Sequence, residues 1–112
     1  IADLDRAIAD SDAHGMVKLI TAAGRDKILG VTIVGEHAGD IIIEFIIAMR
    51  HGLGLDKILA TMHIYPTLAE ANKYAAGVWK KAHKPEALLK WMEKYHAWRR
   101  GDARLLKAFK AI

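Results

Sequence analysis

Residues 26–53, "DKILGVTIVGEHAGDIIIEFIIAMRHGL", decide the fold. The segment Lys27–Gly35 is short and rich in Val, Ile and Leu, so it reads as a strand. Leu29, Val31 and Ile33 fall on one face, and Ile28, Thr32 and Val34 on the other. Both faces are largely apolar, which places the strand inside a sheet covered on both sides. From Ala38 to Gly52 the apolar run is too long for one strand, and its length and glycine boundaries favour a helix despite the β-branched isoleucines. Asp40, Glu44 and His51 share one narrow stripe of that helix. The rest of its circumference (Ile41, Ile42, Ile43, Phe45, Ile46, Ile47 and Met49) is apolar and demands cover on several sides. Either the domain's own sheet or a subunit interface would supply that cover.

Working outward, "MVKLITA" (16–22) is a second strand, joined to the first through the turn-forming "AGRD" as an antiparallel hairpin. "DLDRAIAD" (3–10) gives one or two helical turns, and Leu55–Ala60 a short helix. "HIY" (63–65) is extended because Pro66 disfavours helix for the residue before it. A helix of good propensity follows, with Thr67 as its N-cap. Beyond Pro85, one or two amphipathic helices carry Leu88, Trp91, Met92, Tyr95, Trp98 and Arg99 as a stripe expected to pack, with Gly101 as a break. The order predicts an α+β domain, an antiparallel β-sheet with packed helices and an extra C-terminal helical tail.

The chain has 112 residues and 53% hydrophobic content, so it can bury one core but not two. No cysteine is present, which excludes disulfides, thiolate metal sites and cysteine nucleophiles within it and is compatible with a reducing compartment. No apolar run approaches the roughly 20 residues of a spanning helix. The formal charge of +4 is divided unevenly. Residues 1–79 hold 7 Lys/Arg against 10 Asp/Glu, a net of −3, whereas residues 80–112 hold 10 against 3, a net of +7. A basic, amphipathic tail of that kind fits a solvated face, or a contact with anionic lipid, nucleic acid or an acidic partner.

His63 and Tyr65 lie two apart in the extended segment, which directs their side chains to the same side. Glu70 lies one turn into the next helix, close enough to orient either as a proton-handling pair. "Thr67-Leu68-Ala69-Glu70" equally fits a capping box, which uses Glu70 only to start the helix. The six histidines show no metal-binding spacing and no cysteine partners, so no metal site is expected. The tail's aromatics recur at helical spacing, which favours a packing stripe over a nucleic-acid surface, and no nucleic acid is expected as a partner.

The blocks "DLDRAIAD", "HGMVKLIT", "DKILGVTIVGEHAGDIIIEFIIAMRHGL" and "HIYPTLAEA" resemble, in order and spacing, the C-terminal dimerisation domain of the flavin-dependent pyridine nucleotide-disulfide oxidoreductases. Dihydrolipoamide dehydrogenase, glutathione reductase and mercuric reductase belong to that family. The resemblance covers about residues 3–79, so the chain divides into a dimerisation domain, 1–79, with its usual first strand lying before Ile1, and a basic extension, 80–112. It implies a homodimer built on Ile41, Ile42, Phe45, Ile46 and Met49. It also implies upstream domains for FAD and NAD(P)H in a parent enzyme, a cytoplasmic location with membrane association through parts outside this segment as the alternative, and no cofactor or catalysis in this segment alone.

The family motif is His-Pro-Thr-x-x-Glu, whose histidine serves the partner subunit's redox disulfide as acid/base and whose glutamate orients it. Alignment on Pro66, Thr67 and Glu70 puts Tyr65 at the histidine position, as in mercuric reductases. The resemblance therefore implies Tyr65 and Glu70 as the catalytic pair, Tyr65 facing substrate and Glu70 orienting it. His63 matches a second histidine of lipoamide dehydrogenases. Tyr65 and Pro66 are implied to lie with their backbone against the partner's flavin, through a cis peptide bond. A competing reading is a non-enzymatic interaction module whose tail docks to a membrane surface, nucleic acid or an acidic partner.

Overall fold

The computed structural model describes residues 1–101. The part of the tail beyond residue 101 lies outside the described residues. The chain forms two compact units, Ile1–Ala82 and a second beginning at His83. The first is α+β and runs α1 (Asp5–Ala9), β1 (Met16–Thr21), β2 (Ile28–Val34), α2 (Ala38–Ile41), α3 (Ile43–Arg50), α4 (Leu55–Ala60) and α5 (Glu70–Ala82). α5 continues past the boundary expected after residue 79.

β1 and β2 pair antiparallel from Met16 opposite Val34 to Thr21 opposite Ile28. Between Ile20 and Thr21 the register shifts, leaving Leu29 as an extra residue on β2. Such a bulge inverts the alternation on its far side. Ile28 therefore turns into the core beside Val31 and Ile33, while Leu29 is half exposed. This corrects the facing read from strict alternation, which grouped Leu29 with Val31 and Ile33. The sheet is also covered on one face only, since Met16, Ile20, Leu29 and Val34 are all exposed. Met16 is reached through Gly15, which adopts φ +127° against β2; a Cβ there would meet the Val34 carbonyl oxygen.

The core gathers Ile28, Phe45, Ala48, Leu55, Ile58 and Ala76, with Val17, Leu19, Val31 and Ile33 from the sheet packed against it. A smaller cluster of Leu4, Ala7 and Ala71 fastens α1 to the start of α5. The long apolar helix is broken at Ile42, whose backbone stays right-handed (φ −68°, ψ −19°). Asp26 secures the next helix: its carbonyl accepts from Leu55 N–H at 3.0 Å and its carboxylate from Asp56 N–H at 3.2 Å, at the N-terminus of α4. A negative charge there answers both the free amides and the helix dipole. Gly54 makes the approach possible, because a Cβ at that position would run into the Asp26 side chain.

Around α2 and α3, the residues Ile41, Phe45 and Ala48 follow an i, i+4, i+7 row and are buried in the chain's own core. The next rows, Ile42–Ile46–Met49 and Ile43–Ile47, point away from it, with Ile43, Ile46, Ile47 and Met49 each at least 41% exposed. Of the residues expected at an interface, Ile42, Ile46 and Met49 lie on these outward rows, whereas Phe45, fully buried, and Ile41, 5% exposed, lie in the chain's own core; Ile43 and Ile47 join the outward rows.

In the second unit α6 spans Glu86–Arg99. Pro85 precedes the helix in an extended conformation, and its carbonyl accepts from Leu88 and Leu89 N–H. Gly101, at φ +67°, ends it as a left-handed residue past the C-cap. The stripe expected to pack is open: Leu88, Trp91, Met92, Tyr95 and Trp98 are exposed, whereas Ala97 is buried.

The assignment of rows has a measurable consequence. Phe45→Ala should lower unfolding stability by about 3–5 kcal/mol, the cost of emptying a packed aromatic site. Ile46→Ala, on the outward row, should cost under about 1 kcal/mol in the isolated monomer. Urea unfolding of the two variants at a concentration where both are monomeric provides the comparison.

Candidate functional site

The segment 61–69 between α4 and α5 carries the residues singled out in the sequence. Its shape is set at three points. The Tyr65–Pro66 peptide bond is cis. Thr67 Oγ1 donates to the Ile64 carbonyl at 2.6 Å, closing the turn around that bond. Glu70 Oε2 accepts from Thr67 N–H at 3.2 Å, the return arm of a capping box. The forward arm is missing, since the Thr67 hydroxyl serves Ile64 instead, and α5 begins only at Glu70. Thr67 is therefore not the side-chain N-cap expected from the pattern. Glu70 itself is buried, 9% exposed, which fits a carboxylate held in place by the turn.

His63 and Tyr65 do not share surroundings. The His63 side chain is 6% exposed and turns inward, where Nε2 lies 2.7 Å from Glu44 Oε1 and Nδ1 3.0 Å from the Thr61 carbonyl. Glu44 Oε2 in turn accepts from the Asn72 side-chain amide at 2.8 Å. The same amide donates to the Ile41 carbonyl at 2.9 Å. Both of its partners are acceptors, so the NH₂ group must be the end that faces them. Asn72 is wholly buried, and its Oδ1 has no partner among the described residues. Glu44 thus joins α3, α5 and the segment through one carboxylate.

Tyr65 faces outward and is 65% exposed. Its hydroxyl donates to Asp5 Oδ2 at 2.7 Å, from the first turn of α1. This hydrogen bond, and then the charge of Asp5, raise the phenol above its ordinary value; slight burial and the charge of Glu70 add to them. A phenol raised in this way keeps its proton throughout the neutral range, so Tyr65 is a hydrogen-bond donor there and not a base. Glu70, the expected orienter, acts on the backbone of the turn, and the group that touches the Tyr65 oxygen is Asp5.

Sequence reasoning missed Asp5, Glu44 and Asn72. A signal existed for two of them. Glu44 is a lone acid in an isoleucine helix, and Asn72 a lone amide in an alanine-rich one; such residues need a partner once buried. Asp5, 60 positions from Tyr65, had none.

Among the described residues no group of three His, Asp or Glu side chains could hold a metal ion, and no helix is long and apolar enough to cross a membrane. Beside Glu44 a groove of about 400 Å³ opens on the outer face of α3 and α4, lined by Ile43, Ile47, Leu53 and Ile58 with Asp40 and Lys57 at its rim.

The exposed isoleucines of α3 are joined, through Glu44 and His63, to the segment that carries the tyrosine-proline turn. The chain belongs to the pyridine nucleotide-disulphide oxidoreductase dimerisation domain family, whose pattern matches residues 1–76. It is 42% identical over 71 residues to the mitochondrial dihydrolipoyl dehydrogenase of Dictyostelium discoideum, covering 63% of this chain and 14% of that protein. To the mercuric reductase of Streptomyces lividans it is 40% identical over 76 residues, 68% of this chain and 16% of that enzyme. The dihydrolipoyl dehydrogenase of Staphylococcus aureus is 41% identical over 71 residues, 63% of this chain and 15% of that protein. The chain thus spans about one-seventh of the length of these relatives.

Two measurements test the site as built. Asn72→Ala should cost about 1–3 kcal/mol of unfolding stability, because it leaves the Ile41 carbonyl and Glu44 short of a donor. Asp5→Asn should bring Tyr65 down toward the ordinary tyrosine range; the Tyr65 ring signals, followed by NMR through an alkaline titration, report it. An unchanged titration would show that Asp5 does not govern the phenol.

Proposed function

We propose that the chain is the interface domain of a homodimeric FAD- and NAD(P)H-dependent oxidoreductase of the disulfide reductase family. On this reading it presents Tyr65 and Glu70 to the partner subunit's active site. The observation that carries it is the double row of exposed isoleucines on α3 in a chain whose family is defined by dimerisation. Ile42, Ile46 and Met49, with Ile43 and Ile47, pack against their own copies across a two-fold axis, the self-complementary arrangement such dimers use. The groove beside Glu44 receives part of the facing helix.

The flavin and NAD(P)H belong to upstream domains of the parent, in a reducing, cytoplasmic setting. When bound, the flavin supplies the electron chemistry, and this chain supplies position and a hydrogen bond. The residues present fit that role. The Tyr65–Pro66 turn is exposed, Tyr65 at 65%, so it is accessible to a partner subunit. Glu70 fixes the turn from behind through Thr67 N–H, and the Tyr65 hydroxyl points outward with its proton retained. A substrate that donates to or coordinates the phenol oxygen suits this arrangement, because the Tyr65 proton is already given to Asp5. A dithiol that must be deprotonated does not.

The dimer is tested by sedimentation. The chain should sediment as a dimer, and Ile46→Asp with Ile47→Asp should make it a folded monomer; a wild-type monomer at all accessible concentrations would refute the interface. In the full-length parent, Tyr65→Phe and Glu70→Gln should slow substrate reduction at least about tenfold while sparing flavin reduction by NAD(P)H, read as single-turnover rates. Unaltered turnover in both would remove Tyr65 and Glu70 from the site.

A further inference from the structure

The dimerisation reading leaves α6 without a task, although it carries the chain's most conspicuous exposed side chains. Leu88, Trp91, Tyr95 and Trp98 recur at intervals of 3 and 4, so they share one face of the helix, with Met92 beside them. Trp91 is 62% and Trp98 65% exposed. Lys94 lies one turn from both tryptophans and lines a shallow groove of about 290 Å³ with them and Tyr95. Lys90 continues the same edge, and Arg99 closes the C-terminal end. Among the described residues, none of Lys90, Lys94 and Arg99 forms an ion pair. They lie in the stretch 80–112 with its net charge of +7.

We infer that α6 is a docking helix for an anionic lipid surface, lying in the membrane plane with its Trp/Tyr/Leu face toward the acyl boundary and its lysines on the headgroups. Charge complementarity selects this occupant: unpaired cations border the apolar stripe, as in interfacial helices attracted to anionic lipid. The residue types agree. Tryptophan and tyrosine combine an apolar body with one polar atom, which suits the depth of the headgroups. Lysine can lay its stem along the stripe while its charge stays in the aqueous layer.

Single-stranded nucleic acid would use aromatics differently, each ring face open to a base. Here Trp91 and Tyr95 stack on one another, with centroids 5.8 Å apart and planes 12° from parallel, so one face of each is taken. Leu88 and Met92 add nothing to base stacking but do add buried area at a lipid surface.

The experiment uses the whole chain with vesicles of phosphatidylcholine alone and of phosphatidylcholine mixed with phosphatidylserine. At low salt the chain should pellet with the mixed vesicles about tenfold more strongly than with the neutral ones, and lose this in high salt. Tryptophan emission should shift to the blue on binding. Lys90→Glu with Lys94→Glu should weaken pelleting about tenfold or more, and Trp91→Ala with Trp98→Ala should abolish the blue shift. Far-UV circular dichroism of each variant confirms that the helices persist. Absence of binding to the mixed vesicles would overturn the inference. So would binding that ignores lipid charge or survives both pairs of substitutions, or retention on a single-stranded oligonucleotide in preference to vesicles.

Discussion

The side-chain amide of Asn72 is the contact on which the rest of the first unit depends. Wholly buried on α5, it donates to the Ile41 carbonyl at the end of α2 and to Glu44 on α3. Glu44 passes the connection to His63 in the segment that leads to Tyr65. Apolar packing is tolerant of small slips, whereas a buried donor or acceptor that loses its partner costs free energy that packing does not return. The network therefore specifies one register of α5 against α3 and one path for the segment. Among the described residues Asn72 Oδ1 has no partner, which offsets part of what the two donated bonds contribute.

With α3 pinned, its two apolar sides acquire separate roles. Ile41, Phe45 and Ala48 close the chain's own core, and the rows one and two positions further on stay outside it, the surface proposed for a second copy. A helix that is hydrophobic nearly all round is a liability in a small monomer and a requirement in a shared core. The same helix carries Glu44, so the interface surface and the braced segment are two faces of one rigid piece. A shift of α3 would be felt at His63 through a single 2.7 Å contact.

Much of the architecture was legible in the sequence because it is written in local periodicity. The hairpin, the apolar helix and the short α4 follow from runs and breakers a few residues long. Failures arose where tertiary structure overrides the period. One extra residue at Leu29 exchanged the buried and exposed sides at the start of β2, and alternation has no means of announcing a bulge. The stripe on α6 has core spacing, yet it lies open, because periodicity shows that a face is apolar without showing what covers it. In the site, Tyr65, Pro66 and Glu70 came from resemblance to a family motif, and the cis bond followed from it. Asp5, Glu44 and Asn72 reach their partners across separations of 60, 19 and 28 residues, which no spacing rule reaches.

Asp5 bears on the role proposed for Tyr65, which the family resemblance sets at the histidine position of the motif. Imidazole near neutrality can take a proton and return it; a phenol held by an adjacent carboxylate can only keep one. In that proposed role, tyrosine gives up acid/base cycling and gains a fixed dipole. The Tyr65 proton points at Asp5, so donating to any other acceptor first requires the Tyr65–Asp5 bond at 2.7 Å to be exchanged. The oxygen lone pairs remain free, and Asp5 places its negative charge beside them. A site of that character favours an electron-poor or cationic group close to the phenol and disfavours an anion such as a thiolate. In the role proposed for Tyr65, the phenol and its Asp5 partner therefore act in the same direction, away from chemistry that depends on proton removal and toward recognition of a group that seeks electron density.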